Sequence, residues 1–328
     1  MTPSLDVSYD LLTLGETLLR LSPPGQQRFE QARLFEIGVG GSELNVGCLL
    51  ARLGRRVAWV SRLPVGPLGR IVDSEARRHG VDTRWVRWIE NARLGLMFYE
   101  SGPLPRTSRV IYDRKHSAAS ELGFEDAPWE ALVQASAWVH LSGITPALGA
   151  SCRALVLHIA ALAAAAKKPV SYDLNYRATL TNPEDARTAL EGAAPSLHLL
   201  VLAERDAQNV LGFAQQGEDL AAAIAARYGV PLVALTRPPD AVPGTLLLER
   251  GVLRYAPSLE VEVIDRIGAG DSFVAGLIHG LLDGDGELAI RLGGFAAAIG
   301  LATPGDINYL GPEDIVRFHE NRIGGLER

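Results

Sequence analysis

Residues 265–273 read Asp265-Arg266-Ile267-Gly268-Ala269-Gly270-Asp271-Ser272-Phe273. Ile264 closes an extended stretch before them. From Phe273 onward small and apolar residues recur at helical spacing, which predicts a helix over Ala269–Leu282. The glycines let the chain turn sharply and leave backbone N–H groups uncovered at a helix start. Those groups and the helix dipole favour a phosphate or a developing oxyanion. Asp271 falls in the first turn. There a carboxylate either complements the helix dipole or accepts a proton from a bound hydroxyl, and spacing alone leaves both readings open.

Working outward, short apolar runs alternate with helical patterns. Strands are expected at Asp10–Leu14, Val57–Val60, Trp138–Ser142, Val170–Leu174, Leu199–Leu202, Leu232–Thr236 and Thr245–Leu248. Between them the sequence predicts helices at Ser42–Leu53 with Ser42 as N-cap, Pro67–His79, Ser151–Lys168, Pro183–Glu191, Asp206–Leu211, Glu218–Tyr228 and Glu287–Ala302. Strands separated by helices mean βαβ units and a mostly parallel sheet covered on both faces. Two regions break the rhythm, about 16–37 and 84–116. Their extended pieces, such as Arg93–Glu100 and Arg109–Asp113, predict a small antiparallel sheet inserted into a single domain spanning 1–328, protruding as a lid or a dimer surface.

A formal charge of −6 argues against a general nucleic-acid binder, which needs a basic face. Cys48 and Cys152 lack metal-ligand spacing and read as buried free thiols of a cytoplasmic protein. The longest apolar run, Ala154 to Ala166, is too short to span a bilayer. No Gly-Lys phosphate loop, His-Glu-x-x-His or Gly-x-Ser-x-Gly occurs. Gly38-Val39-Gly40-Gly41 imitates a dinucleotide fingerprint, but Glu43 stands at the third glycine position. Residues 283–287 imitate part of a calcium loop without its later ligands, so a plain turn between helices is expected.

The 265–273 segment resembles the C-terminal signature of the ribokinase-like carbohydrate kinases, Asp-Thr-x-Gly-Ala-Gly-Asp-x-Phe. A second signature of that family is matched by Val39-Gly40-Gly41-Ser42-Glu43-Leu44-Asn45-Val46-Gly47 and Ala51-Arg52-Leu53-Gly54. The resemblance covers nearly the whole chain. It implies an α/β, ribokinase-like fold: a mostly parallel central sheet with helices on both faces, plus a small protruding β-sheet lid. It also implies that Asp271 is the general base, with Gly268, Ala269 and Gly270 forming the anion hole beside it. Arg266 replaces the family's commoner threonine and either faces the nucleotide phosphates or lies on the surface.

Within the family the chain is most similar to the 2-keto-3-deoxygluconate kinases. The matching stretches are 14–23, 110–118, 141–148 and 171–177. The resemblance implies sugar contacts from Gly40, Gly41 and Asn45, and contacts to the keto-acid end from Tyr112, Arg114 and Arg177. The residue chemistry agrees, since guanidinium grips a carboxylate bidentately. Tyr112 and Arg114 are expected on one face of a lid strand. Met97 follows Gly95-Leu96 where some relatives have tyrosine, with Tyr99 as a substitute.

Two departures concern the nucleotide. Thr236 and Gly244 are expected to bind it, yet the loop between them begins Arg237-Pro238-Pro239, and proline offers no N–H. The family's Asn-x-x-Glu, which supports magnesium, is matched by Ala203-Glu204-Arg205-Asp206, so Asp206 is the metal candidate. ATP and Mg2+ follow as implied cofactors, with a monovalent cation left open as a third, and a homo-oligomer through the lid sheet. The alternatives are a kinase for a ketohexose, pentose or nucleoside, and a sugar-acid-binding homologue with weak or no kinase activity.

Overall fold

The computed structural model describes residues 5–103, 105–237 and 244–320. Its strands are β1 (Tyr9–Leu14), β2 (Leu18–Ser22), β3 (Glu36–Gly40), β4 (Val57–Val60), β5 (Arg62–Pro64), β6 (Arg87–Ile89), β7 (Gly95–Glu100), β8 (Arg109–Asp113), β9 (Ser136–Ser142), β10 (Val170–Asp173), β11 (Leu199–Ala203), β12 (Leu232–Arg237), β13 (Gly244–Glu249) and β14 (Val252–Pro257). The helices are α1 (Ser42–Arg52), α2 (Pro67–Arg78), α3 (Trp129–Gln134), α4 (Ile144–Ala147), α5 (Ala150–Ala165), α6 (Pro183–Ala193), α7 (Glu204–Asn209), α8 (Gly217–Tyr228), α9 (Ala269–Leu282), α10 (Gly286–Leu301) and α11 (Pro312–His319).

Eight strands form the central sheet in the order β14-β13-β12-β11-β10-β9-β1-β4. From β4 to β12 every pairing is parallel, and β13 and β14 add an antiparallel hairpin at one edge. The continuous apolar runs follow from this, because a strand with helices on both faces buries both sets of side chains. On β1, Leu12 and Leu14 join the core under α3, α5, α6 and α8. Leu11, pointing the other way, packs with Trp59 and with Phe273 of α9. Each fully buried leucine is worth about 2 kcal/mol of removed apolar surface. Helices α9 and α10 approach closely because Gly280 has no Cβ; one there would lie 2.4 Å from Ala289 Cα.

The lid regions do pair with each other, in the order β3-β2-β7-β8. The expected all-antiparallel arrangement is corrected, since β2 and β7 run parallel in the middle. They come from separate insertions, each carrying its own outer partner strand, and nothing forces the two insertions to meet head to tail. A further correction concerns α1, whose N-cap is Gly41 rather than Ser42. Ser42 begins the helix, and its hydroxyl is committed elsewhere. Residues 283–285 form the turn between α9 and α10, with the Asp285 carboxylate accepting the Leu288 N–H at 2.9 Å as the cap of α10, which begins at Gly286. Among the described residues no helix is long and apolar enough to cross a membrane.

Candidate active site

The parallel strands end on one edge of the sheet, and the glycine turn before α9 arrives there. Gly268 is the N-cap of α9 at φ +81°. A Cβ at this position would also lie 2.0 Å from the Asp306 carbonyl oxygen, so the turn requires glycine on both counts. The first helical bond runs from the Ser272 N–H to the Gly268 carbonyl. The N–H groups of Ala269, Gly270 and Asp271 precede it and have no partner within the helix.

Asp271 is buried and held from two other elements. Ser42 donates to Oδ1 at 2.7 Å and Asn45 to Oδ2 at 2.7 Å, both from the first turns of α1. Asn175 donates to Oδ1 at 3.5 Å and to the Ser42 hydroxyl at 2.7 Å. Its backbone sits at φ +37°, an uncommon conformation that asparagine tolerates better than most residues. Burial pushes the Asp271 carboxyl above the ordinary carboxylate range, opposed by the Asn45 and Ser42 hydrogen bonds and by the charge of Arg177.

A cavity of about 320 Å3 opens in front of Asp271. It is lined by Tyr112 from β8, Asp173 at the end of β10, Asn175 just after it, Arg177, Arg205, Asp206, Arg266, Gly268 and Gly270. Asp173 is pushed up to about 8, first by burial and then by the nearby Asp271 charge. Burial also raises Asp206. Among the described residues the side chains of Arg177 and Arg266 make no ion pair. Arg205 makes only a 3.3 Å contact with its neighbour Asp206. A second cavity of about 230 Å3 adjoins the first, with Thr236, Gly244, Ala269, Gly294, Ala298 and Leu259 in its walls. Thr236, Gly270 and Phe273 belong to both cavities.

Most of the expected site residues therefore converge. Asp271, Gly268, Gly270, Tyr112, Arg177, Arg266 and Asp206 meet at the first cavity, and Thr236, Gly244 and Ala269 at the second. Asn45 reaches Asp271 directly. Gly40 and Gly41 lead into α1 and are not in the cavity walls. Arg114 lies one residue past the end of strand β8, yet its guanidinium sits over the Tyr112 ring, 5.4 Å from the ring centre. Its guanidinium is held by buried Glu16, with Nε donating at 2.7 Å and Nη2 also paired. Tyr99 is not a wall of the cavity either. It is buried, with the Arg20 guanidinium 4.2 Å above its ring centre. Pro238 to Pro243 lie outside the described residues; at the loop's near end, Arg237 bonds Glu204 at 3.0 Å.

The sequence reading missed Ser42, Asp173, Asn175 and Arg205 as site residues. A polar cluster placed directly after an apolar strand, as in Asp173-Leu174-Asn175, was the available signal, because open α/β sheets bind ligands at the carboxyl ends of their strands.

Three comparisons with known proteins show what this chain is similar to. The family described as pfkB family carbohydrate kinase matches residues 9–311. The 2-dehydro-3-deoxygalactonokinase of Haloferax volcanii is 37% identical over 97% of this chain and 99% of its own length. The 2-dehydro-3-deoxygluconokinase of Bacillus subtilis is 30% identical, covering 92% of each. The crystal structure of the 2-dehydro-3-deoxygluconokinase of Thermotoga maritima superposes with a TM-score of 0.89 at 32% identity, over 95% of this chain and 98% of that one.

Proposed function

Because the chain belongs to the pfkB family of carbohydrate kinases, we propose that it transfers the γ-phosphoryl group of ATP to a hydroxyl of a 2-keto-3-deoxy sugar acid, with 2-keto-3-deoxygluconate giving its 6-phosphate. The observation that carries this reading is the position of Asp271 in the wall of the arginine-rich cavity, next to Gly270, which this cavity shares with an adjoining one lined by small residues. The acceptor sugar occupies the first cavity, its carboxylate on Arg177 and its body beside Tyr112 and Asn175. The nucleotide base occupies the second, and its phosphates cross the seam over Gly268–Asp271. Asp271 takes the proton from the attacking hydroxyl, and its burial makes it a stronger base than an ordinary carboxylate. The N–H groups of Ala269, Gly270 and Asp271 meet the charge that develops on the transferred group. Arg266 and Arg205 offset phosphate charge, which the proline-rich loop at 237–244 is poorly equipped to do through N–H groups.

Magnesium suits the carboxylates present. It takes one or two carboxylates plus phosphate oxygens and water, and Asp206 and Asp173 stand in the cavity with their charged forms disfavoured by burial. The ion would supply charge neutralisation of the phosphates. For a monovalent cation the fit is worse, because the buried carboxylates nearest the turn, Asp265 and Asp306, already share Arg20. Arg114, committed to Glu16, positions the lid rather than gripping the sugar. The C4-epimeric galactonate acid is the second reading, favoured by the 37% identical relative. A homodimer through the small sheet completes the proposal. Its outer strands expose Ile37 at 59% and Ile111 at 53%, apolar surface of the kind that marks contacts.

The test is an ADP-release screen with Mg2+ across both epimeric sugar acids, ketohexoses, pentoses and nucleosides. Turnover is expected with the sugar acids, and Asp271→Ala should lower kcat by roughly a hundredfold or more while leaving sugar binding nearly intact. Binding of the sugar acid without ATP consumption would replace the enzyme by a sugar-acid sensor. Turnover of a neutral sugar that survives Arg177→Ala would replace the substrate class.

A further inference from the structure

A guanidinium from the small sheet is buried against the back of the glycine turn. Arg20 of β2 donates from Nη2 to Asp265 Oδ2 at 2.5 Å and from Nη1 to Asp306 Oδ1 at 2.6 Å. Its Nε bonds the Ser22 hydroxyl at 2.9 Å, and the Tyr99 ring covers its face. All three charged side chains are buried. Each carboxylate in turn governs backbone beside the site. Asp265 accepts the Ile267 N–H at 3.0 Å and the Gly305 N–H at 3.2 Å, fixing the two strands of chain that flank Gly268. The Asp306 carbonyl packs directly under Gly268. The Asp306 carboxylate packs under Gly40, where a Cβ would lie 1.7 Å from Oδ2. Gly40 immediately precedes the cap of α1, the helix whose Ser42 and Asn45 hold Asp271.

We propose that Arg20 is a positioning residue for phosphoryl transfer: by bridging Asp265 and Asp306 it fixes the 268–271 helix start and the start of α1 relative to each other. The inference rests on the kinase reading given above. Arg20 touches neither cavity, so its effect passes through the turn. Two carboxylates in one dry pocket repel each other unless one cation spans them, and only the planar fork of arginine reaches both with separate nitrogens. A lysine keeps the charge but serves one carboxylate at a time. The same side chain also joins the lid sheet to the turn, so a lid displaced by sugar pulls on the anion-binding N–H groups through Arg20.

Arg20→Lys tests this, with the charge-neutral triple variant Arg20→Met, Asp265→Asn, Asp306→Asn as the form expected to fold if Arg20→Lys does not. Hydrogen exchange followed by mass spectrometry should show amides in residues 265–272 and 303–308 exchanging about tenfold faster or more, with β4 and β9 unchanged. In turnover, kcat should fall about tenfold or more while KM for sugar and for ATP stays within about threefold. Millimolar guanidinium should restore part of the kcat of Arg20→Ala. Unchanged exchange in residues 265–272 of a folded variant overturns the proposal, as does a kcat within about threefold of wild type or a loss confined to KM. If the wild-type chain turns over no acceptor, the kinase reading fails by itself, and the exchange measurement still decides whether Arg20 holds the turn.

Discussion

Asp271 and Glu43 are both buried carboxylates at the head of α1, and burial raises both, but their surroundings oppose that rise differently. Asp271 receives hydrogen bonds on both oxygens and lies near the Arg177 charge, which offset part of its burial. Glu43 takes Ser142 at 2.7 Å and Thr145 at 2.5 Å on one oxygen, while the other has no partner. Burial pushes it up to about 7, ahead of the lowering by Thr145 and Ser142. A carboxyl that binds its proton more tightly when folded costs stability as pH rises from its ordinary 4.5 to about 7. Glu43→Gln removes that loss. Its stability should gain on wild type between pH 5 and pH 8, by on the order of 3 kcal/mol, read as a Tm difference that grows with pH. A constant difference in Tm across that range would show that Glu43 ionises normally. Asp271, Asp206, Arg177, Arg266 and the glycines of the 268–271 turn were legible in the sequence, whereas Asp173 and Arg205 were passed over. Ser42 and Asn175 were not legible, since their role exists only where α1, α9 and the end of β10 meet. The partner of Arg114 was not legible: β8 stops at Asp113, and the buried Glu16 that holds its guanidinium lies 98 positions away.

At the scale of elements, the turn that starts α9 makes a sharp demand and its neighbour a weak one. Gly268→Ala places a Cβ against the Asp306 carbonyl in a left-handed backbone, a cost of roughly 2–4 kcal/mol. Gly270→Ala meets no atom within 4 Å and should unfold at nearly the wild-type denaturant concentration. Equal destabilisation of the two in urea would refute the packing seen under Gly268. The parallel strands and the long helices were readable because burial on both faces leaves continuous apolar runs. Strand β14 was passed over, since Val252–Pro257 is largely exposed and lacks that pattern. Its signal was the turn before it: Arg250 and Gly251 sit at φ +48° and +85°, and Glu249 faces Val252 across a two-residue hairpin. The lid strands were readable as extended pieces, but their partners were not. Pairing of β2 with β7 joins residues more than seventy apart in sequence, which no local pattern encodes.

For the molecule as a whole, the proposed dimer contact and the proposed brace of the glycine turn both draw on the small sheet. Replacing Ile37 and Ile111 together by glutamate should shift a dimer to monomer in size-exclusion light scattering, leaving the melting curve of the central sheet intact. A wild type already monomeric at micromolar concentration would remove the interface. The buried bridge from Arg20 has a further consequence for how the protein comes into being. Asp265 follows Arg20 by 245 positions and Asp306 by 286. A ribosome delivers the chain from its N-terminus, so the lid sheet can pair while Arg20 still lacks both counter-charges. That cation then waits through most of synthesis. The glycine turn acquires its brace only when the segment carrying Asp306 has emerged, so competence of the site waits on that segment and not on the lid.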